Sequence, residues 1–88
     1  MFVGETDQNM ISYKETLANI ARSIVDHPDE VTVAETENDD GEITLVLSVA
    51  PSDMGKVIGK RGRIAKAIRS VIKAVSNLDG DRVSVEIQ

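Results

Sequence analysis

Two glycines three positions apart, Gly59 and Gly62, enclose two cations, Lys60 and Arg61. Glycine lets the backbone turn sharply, and its missing Cβ leaves room for a phosphodiester to approach closely. If a helix begins just after the second glycine, its first amides point toward the same space, and the helix dipole adds partial positive charge there. The spacing therefore predicts a phosphate-binding turn in which Lys60 and Arg61 neutralise the bound phosphate.

The glycine pair also has a simpler explanation, a corner between two helices that needs glycines only for its geometry. A G-x-x-G pair often occurs by chance, because glycine makes up about 7% of residues in an average protein. A nucleotide-binding P-loop is excluded, because Gly55 and Gly59 are one residue too close and Lys60 is followed by Arg61 instead of Ser or Thr. The dinucleotide fingerprint G-x-G-x-x-G is absent as well.

Positive charge is concentrated around this motif. Residues 1–50 carry 2 cations and 11 acids, a net charge of −9, whereas residues 51–88 carry 8 cations and 4 acids, a net charge of +4, which together make the −5 of the chain. Seven cations and no acid lie in one run: Lys56, Lys60, Arg61, Arg63, Lys66, Arg69 and Lys73. Such asymmetry indicates a nucleic-acid surface on one side of the domain, and the alternative is an ordinary solvated helix face.

The cations of this run differ in their expected roles. Arg63 lies at the turn with Lys60 and Arg61, so we predict that all three contact phosphate. The expected role of Lys56 is intermediate between phosphate contact and electrostatic steering. Three further cations fall on the solvent side of the predicted helix: Lys66, Arg69 and Lys73. These three are expected only to steer a ligand electrostatically.

Composition excludes several classes of protein. The 88 residues include no cysteine and one histidine, so disulfide frameworks, thiolate zinc sites and cysteine nucleophiles are excluded, and no metal site or cofactor is expected. A chain of this length buries too little surface for a deep substrate cavity. Its acids cluster around a hairpin, with no nucleophile and base beside them. The protein is therefore not expected to be an enzyme. Aromatic residues at 2% disfavour binding by base stacking. No apolar run is long enough for a membrane helix, and the expected location is cytoplasmic.

The first half of the chain predicts a helix and a hairpin. Residues 1–11 are interpreted as a flexible N-terminal tail. Ser12 and Glu15 form a capping box, so a helix should begin there and end near Asp26, ahead of Pro28. Residues 31–37 and 43–49 alternate apolar and polar side chains, which predicts two strands, and Asn-Asp-Asp-Gly at 38–41 predicts the tight turn between them.

The second half predicts two helices and a third strand. A short helix should run over residues 51–58, capped by Ser52 or Asp53, and a strand over residues 82–87. Between them a long amphipathic helix should run from Arg63 to about Asn77 and bury one stripe: Ile64, Ile68, Val71, Ile72, Val75 and Leu78. Packing these stripes together predicts an α+β fold in which helices cover one face of a three-stranded sheet.

With these residues in place, the chain resembles a KH domain of the type II arrangement. The KH hallmark I-G-x-x-G appears as Ile58-Gly59-Lys60-Arg61-Gly62. The segments at residues 25–31, VDHPDEV, and 49–59, VAPSDMGKVIG, are similar to the small single-KH RNA-binding proteins of bacteria, the KhpA family. The broad signature would place a bulky residue at Ala65, where this sequence instead has Ile64 just before it.

The resemblance implies a KH domain over residues 12–88 whose third strand lies parallel to the first. It implies that single-stranded RNA lies in a groove between the Gly59–Gly62 loop and the sheet edge, lined by Ile58, Val57 and residues of the first two strands. It also implies a homodimer, or a heterodimer with a larger KH-containing protein that acts in cell elongation and division.

Two functions from different classes follow. The first is a non-enzymatic post-transcriptional regulator or RNA chaperone that binds through Ile58, the loop and the cations beside it. The second is a protein-interaction adaptor whose KH surface serves mainly for assembly.

Overall fold

The structure is a computed structural model that describes residues 12–88, so the predicted tail over residues 1–11 lies outside the described residues. Three helices and three strands follow in the predicted order: α1 (Tyr13–Arg22), β1 (Thr32–Glu37), β2 (Ile43–Ser48), α2 (Met54–Ile58), α3 (Arg63–Asp79) and β3 (Val83–Ile87). Short 3₁₀ turns lie at Pro28–Glu30, Pro51–Asp53 and Lys60–Gly62. The predicted α+β fold with a three-stranded sheet is confirmed.

The sheet is mixed, with β2 in the centre and the order β1-β2-β3. The hairpin pairs β1 antiparallel to β2, whereas β3 pairs parallel to β2. The implied parallel alignment of the third strand with the first is therefore wrong. The reason is the connection, because α2 and α3 form a helical crossover that returns the chain to the start of β2, whereas the tight turn reverses the chain after β1.

The helices cover one face of this sheet. Leu45 and Leu47 of β2 are fully buried against Leu17 of α1 and Ile72 of α3. On the opposite face the hydroxyls of Thr44 and Ser84 lie 3.3 Å apart and bridge β2 and β3. The predicted division into an apolar and a polar sheet face is confirmed.

Tyr13 joins the two long helices at one end. Its side chain is buried, and its hydroxyl lies 2.8 Å from Asp79 Oδ2 and 2.6 Å from Asp81 Oδ2. Burial, together with these carboxylates, raises the pKa of Tyr13 above its ordinary value, so the hydroxyl keeps the proton that it donates. The start of α1 is thereby held against the end of α3.

Helix α1 is shorter than predicted. It begins after Ser12, whose hydroxyl accepts from the Glu15 amide at 3.1 Å, as the capping box requires. It ends at Arg22 and not near Asp26. The Ser23 hydroxyl donates to the Ile20 carbonyl at 2.7 Å at the C-cap of the helix.

The short helix predicted over residues 51–58 is divided. Pro51–Asp53 forms a 3₁₀ turn, and α2 begins only at Met54. Asp53 does not cap this helix, because its carboxylate faces the connection between α1 and β1. The predicted capping role of Asp53 is therefore wrong.

Helix α3 is rotated relative to the predicted stripe. Ile68 and Ile72 are buried as predicted, but Ile64, Val71 and Leu78 are 38%, 45% and 85% exposed. The buried stripe instead consists of Ala65, Ile68, Ile72 and Ser76. The larger side chains of Ile64, Val71 and Leu78 lie on another side of the helix, away from the core.

Candidate nucleic-acid interface

The glycine motif forms the reversal between α2 and α3. The Gly59 amide ends α2 by donating to the Gly55 carbonyl at 2.9 Å, and the Gly62 amide donates to the Gly59 carbonyl at 3.1 Å. Gly59 has φ 74° and Gly62 has φ 72°, in the region that favours glycine. Helix α3 then begins at Arg63.

The two glycines serve different purposes. A Cβ atom on Gly59 would lie 2.6 Å from Ile64 Cγ1, so a side chain there would clash with the first turn of α3. Among the described residues, a Cβ atom on Gly62 would meet nothing within 4 Å. Gly59 is thus required by packing, whereas Gly62 leaves open space in which a ligand backbone can approach.

Arg61 lies between them with a positive φ of 58°. Left-handed backbone in a residue other than glycine is uncommon and often occurs at functional sites. The Lys60, Arg61 and Arg63 side chains are exposed, and in residues 12–88 none of the three forms an ion pair. Their positive charge is available to an anion at the turn.

The remaining predicted site residues are placed differently. Ile58 is 37% exposed beside the loop, whereas Val57 is fully buried, so its expected place in the groove lining is wrong. Lys56 Nζ lies 3.5 Å from Asp26 Oδ2, which partly satisfies its charge.

Arg69 also departs from its predicted place in open solvent. Its Nε donates to the Val85 carbonyl of β3 at 3.1 Å. Helix α3 packs on β3, so the sheet edge beside this helix belongs to the third strand and not to the first two.

Asp53, which the sequence predicted only as a helix cap, is a buried carboxylate that anchors the start of α2. Asp53 is 1% exposed, and its carboxylate accepts the backbone amides of Asp26 at 3.2 Å and His27 at 2.9 Å. His27 Nδ1 lies 3.1 Å from the same carboxylate. Burial opposes ionisation of Asp53, but these hydrogen bonds outweigh it and hold its pKa below the ordinary value.

His27 is therefore held in a specific contact with Asp53. The hydrogen bond to Asp53 and the charge of Asp53 raise the pKa of His27 above its ordinary value; desolvation opposes them, and the charges of Glu30 and Asp26 add to the increase. The only sequence signals for this contact were the single histidine ahead of Pro28 and the acid that follows Pro51 and Ser52.

An apolar depression lies between α1 and α3. It has a volume of about 460 Å³, and it is lined by Ile20, Ile24, Arg63, Ile64, Ala67, Ile68 and Val71. Its floor is almost entirely aliphatic, and Ile64 and Val71 lie on its exposed rim. The sequence predicted both residues as core, because an exposed apolar stripe and a buried one have the same periodicity.

Comparison with known proteins gives one consistent result. The family model described as KhpA/KhpB, KH domain, matches residues 14–87. The chain is 60% identical over 74 residues to the RNA-binding protein KhpA of Clostridium acetobutylicum, a match that covers 84% of this chain and 97% of that protein. It is 47% identical over 74 residues to the RNA-binding protein KhpA of Treponema pallidum, covering 84% of this chain and 91% of that protein.

A solved structure supports the fold alone. The crystal structure of an Aquifex aeolicus Era variant superposes with a TM-score of 0.51 at 18% identity, over 89% of this chain and 31% of the Era chain. Within residues 12–88, no helix is both long enough and apolar enough to cross a membrane.

Alanine substitution should separate the roles of the two loop glycines. Gly62→Ala is expected to lower the free energy of unfolding by about 1–2 kcal/mol, because an L-residue is disfavoured in left-handed backbone. Gly59→Ala should cost about 1–3 kcal/mol more, because its methyl group meets Ile64. Gly55→Ala is the control, since it lies in α2 with open space around it and should be neutral or stabilising. Urea denaturation measures all three, and equal costs for Gly59→Ala and Gly62→Ala would contradict this assignment.

The contact between His27 and Asp53 predicts a pH-dependent stability. Because the folded pKa of His27 is raised, its contribution is fully present below about pH 6.5 and is lost as the pH rises through the folded pKa. His27→Asn keeps a donor near the Nδ1 position but does not titrate. The free energy of unfolding of the wild type relative to His27→Asn should therefore decrease between pH 6 and pH 8. A difference that stays constant with pH, or an NMR titration midpoint at or below about 6.5, would exclude this role.

Proposed function

Because the chain belongs to the KhpA/KhpB family of KH domains, we propose that it binds short single-stranded RNA through the Gly59–Gly62 loop. KH domains clamp the backbone of about four nucleotides with this loop, and base stacking on aromatic side chains is not required. The low aromatic content is thus compatible with RNA binding.

The geometry of the loop is the observation that carries this proposal. Left-handed backbone at Gly59, Arg61 and Gly62 turns the chain outward, and the space beside Gly62 is open. The Arg63 amide already donates to the Lys60 carbonyl. The amides that follow it in the first turn of α3 have no partners within their own helix and can donate to phosphate oxygens. Lys60, Arg61 and Arg63 supply positive charge at the same place. Backbone donors, charge and open space thus coincide at one turn.

The negative charge of the chain lies elsewhere and favours the same site. Exposed acids cluster on β1 and on the hairpin turn that follows it: Glu35, Glu37, Asp39 and Asp40. These carboxylates repel phosphate from the hairpin. RNA is thereby directed toward the junction of α2 and α3.

The size of the site sets the expected affinity. Two or three neutralised phosphates release few counterions, so binding by one domain should be weak and only modestly dependent on salt. A second domain would raise the apparent affinity, because the second contact becomes intramolecular. We propose that the protein acts as a post-transcriptional regulator or RNA chaperone, with a KH-containing partner, in cell elongation and division.

The exposed side of α3 supports self-association. It carries apolar residues at alternating steps of three and four, the spacing of a coiled-coil seam: Ile64, Ala67, Val71, Ala74 and Leu78. Ile20 of α1 and Ile24, two residues after its end, extend this apolar stripe. Exposed apolar surface of this kind marks a protein contact. We therefore propose that a second KH domain, in a homodimer or a heterodimer, packs on the apolar stripe.

The same stripe favours a second candidate function. In the adaptor hypothesis the domain assembles through the stripe, and RNA binding has no role. The two hypotheses differ in one measurable respect, because an adaptor does not bind RNA on its own.

Charge reversal in the loop tests RNA binding. Lys60→Asp with Arg61→Asp should weaken binding of octameric single-stranded RNA at least tenfold, because the phosphate contacts become repulsive. Fluorescence anisotropy measures the affinity, and the logarithmic salt slope should be about −1.5 to −2 for the wild type and smaller for the variant. Lys14→Asp with Arg22→Asp is the control, since it changes the net charge equally on α1 and should bind nearly as the wild type does.

Unchanged affinity in a folded Lys60→Asp, Arg61→Asp protein would exclude the loop as the site. A wild type that fails to bind any RNA yet co-purifies with a protein partner would favour the adaptor.

A single substitution tests the apolar stripe. Val71→Asp should weaken self-association at least tenfold, because a carboxylate at this 45% exposed position would lose its water in the dimer. Ser70→Asp adds the same charge at the neighbouring exposed position of α3 and should assemble as the wild type does. Sedimentation velocity over a range of concentrations measures this, and a monomeric wild type, or unchanged assembly of Val71→Asp, would contradict the proposal.

A further inference from the structure

Within residues 12–88, the outer edge of β3 presents backbone groups that pair with no other strand. The Ile43 amide of β2 donates to the Arg82 carbonyl at 2.9 Å, and the Gln88 amide donates to the Leu47 carbonyl of β2 at 2.8 Å. Backbone groups of successive residues in a strand point to opposite sides. In residues 82–88, the amides and carbonyls of the even-numbered residues therefore face β2. The amides and carbonyls of Val85 and Ile87 therefore point away from the sheet.

Arg69 forms a hydrogen bond with one of these backbone groups. Its Nε donates to the Val85 carbonyl at 3.1 Å, which fixes the guanidinium at the strand edge. A guanidinium has five N–H donors, so four stay available on its terminal nitrogens. In residues 12–88 Arg69 forms no ion pair. The neighbouring cations Lys66 and Lys73 are exposed on the same helix, and neither bonds to β3 within the described part of the chain.

The same edge leads to the glycine loop. Arg69 lies six residues after the start of α3 at Arg63, a distance of about 9 Å along the helix axis. Strand β3 follows α3 through a tight turn and runs back along it, so Ile87 lies toward the loop end. An RNA backbone held at the loop can therefore extend its bases along the edge of β3, where Arg69 is fixed.

We propose that Arg69 is a specificity-determining residue that selects bases with two adjacent hydrogen-bond acceptors. This inference rests on the proposed RNA binding. The planar guanidinium matches paired acceptors, which cytosine presents at O2 and N3 and guanine at O6 and N7. Uracil places an N–H donor between its two carbonyls, and adenine places an amino group beside N7. Either base would therefore place one of its own N–H donors against an N–H donor of the guanidinium. The protein should prefer cytosine or guanine at this position.

A peptide strand is the competing occupant of this edge. Strand addition would need the Val85 carbonyl as an acceptor, but Arg69 already occupies it, and a cation on an edge strand opposes such pairing. The cations of α3 beside the edge also favour a polyanion. The observations therefore favour RNA.

Binding of matched octamers tests the proposal. The probes are oligocytidine, oligouridine and oligouridine with one central guanosine. The wild type should bind the cytidine octamer and the guanosine-containing octamer about tenfold more tightly than oligouridine. Arg69→Gln should bind all three nearly equally. Arg69→Lys keeps the charge but lacks the paired N–H donors of the guanidinium. It should therefore retain binding to oligouridine and lose most of the preference for cytidine and guanosine.

Lys66→Gln and Lys73→Gln are the matched controls. Each removes one charge from the exposed side of α3, so each should weaken binding to all three octamers by the same small factor and keep the preference. Thermal unfolding verifies that every variant is folded. If Arg69→Gln does not fold, Arg69→Lys still tests the proposal. The backbone amide NMR signals of Val85 and Ile87 should shift when the cytidine octamer binds.

Distinct results would overturn the proposal. Equal binding of the three octamers by the wild type, or loss of the preference in Lys66→Gln as in Arg69→Gln, would refute the role of Arg69 while leaving RNA binding intact. Shifts of Val85 and Ile87 that depend on protein concentration and not on RNA would assign the edge to strand pairing and refute it as well. Failure to bind any octamer would refute RNA binding and this inference together.

Discussion

The chain can reverse between α2 and α3 only because three of the four residues in the turn adopt left-handed backbone. Gly59 has no room for a side chain, because Ile64 in the first turn of α3 packs against it. This close contact sets where α3 begins and therefore where it lies on the sheet. The position of β3, the exposed loop and the fixed guanidinium of Arg69 all depend on this reversal.

Helix α3 carries most of the functional surface of a domain too small for a separate layer. One side, centred on Ile68 and Ile72, completes the core. A second side holds the apolar stripe, and a third holds the cations that flank the edge of β3. A single helix can present three chemically different sides because residues that are three or four apart recur on one side. The cations and the apolar stripe therefore share no residue.

The anchor at Asp53 connects the loop to the rest of the domain. Its buried carboxylate accepts two amides from the connection after α1 and contacts His27, so α2 is held from its first turn. Unpaired, such a carboxylate would cost several kcal/mol, so the two amides that it accepts stabilise this junction. Lys56 and Asp26 add an exposed ion pair at the same junction. The loop therefore projects from a fixed base.

The sequence by itself determined the element order, the hairpin turn, the glycine loop and the cations around it. Each of these depends on neighbours within a few residues, such as the capping box of Ser12 or the acid-free run after Lys56. Periodicity also identified α3 as amphipathic, but it could not decide which of two apolar stripes is buried. Ile64 and Val71 were assigned to the core for that reason.

Tertiary structure alone decided the contacts between residues distant in the chain. The parallel pairing of β3 with β2, the burial of Asp53 against His27 and the bond from Arg69 to Val85 each join segments separated by 16 or more positions. No local propensity encodes such contacts, because they depend on how α2 and α3 cross the sheet. The sequence thus predicted a phosphate-binding loop, and the fold added the strand edge and the arginine beside it.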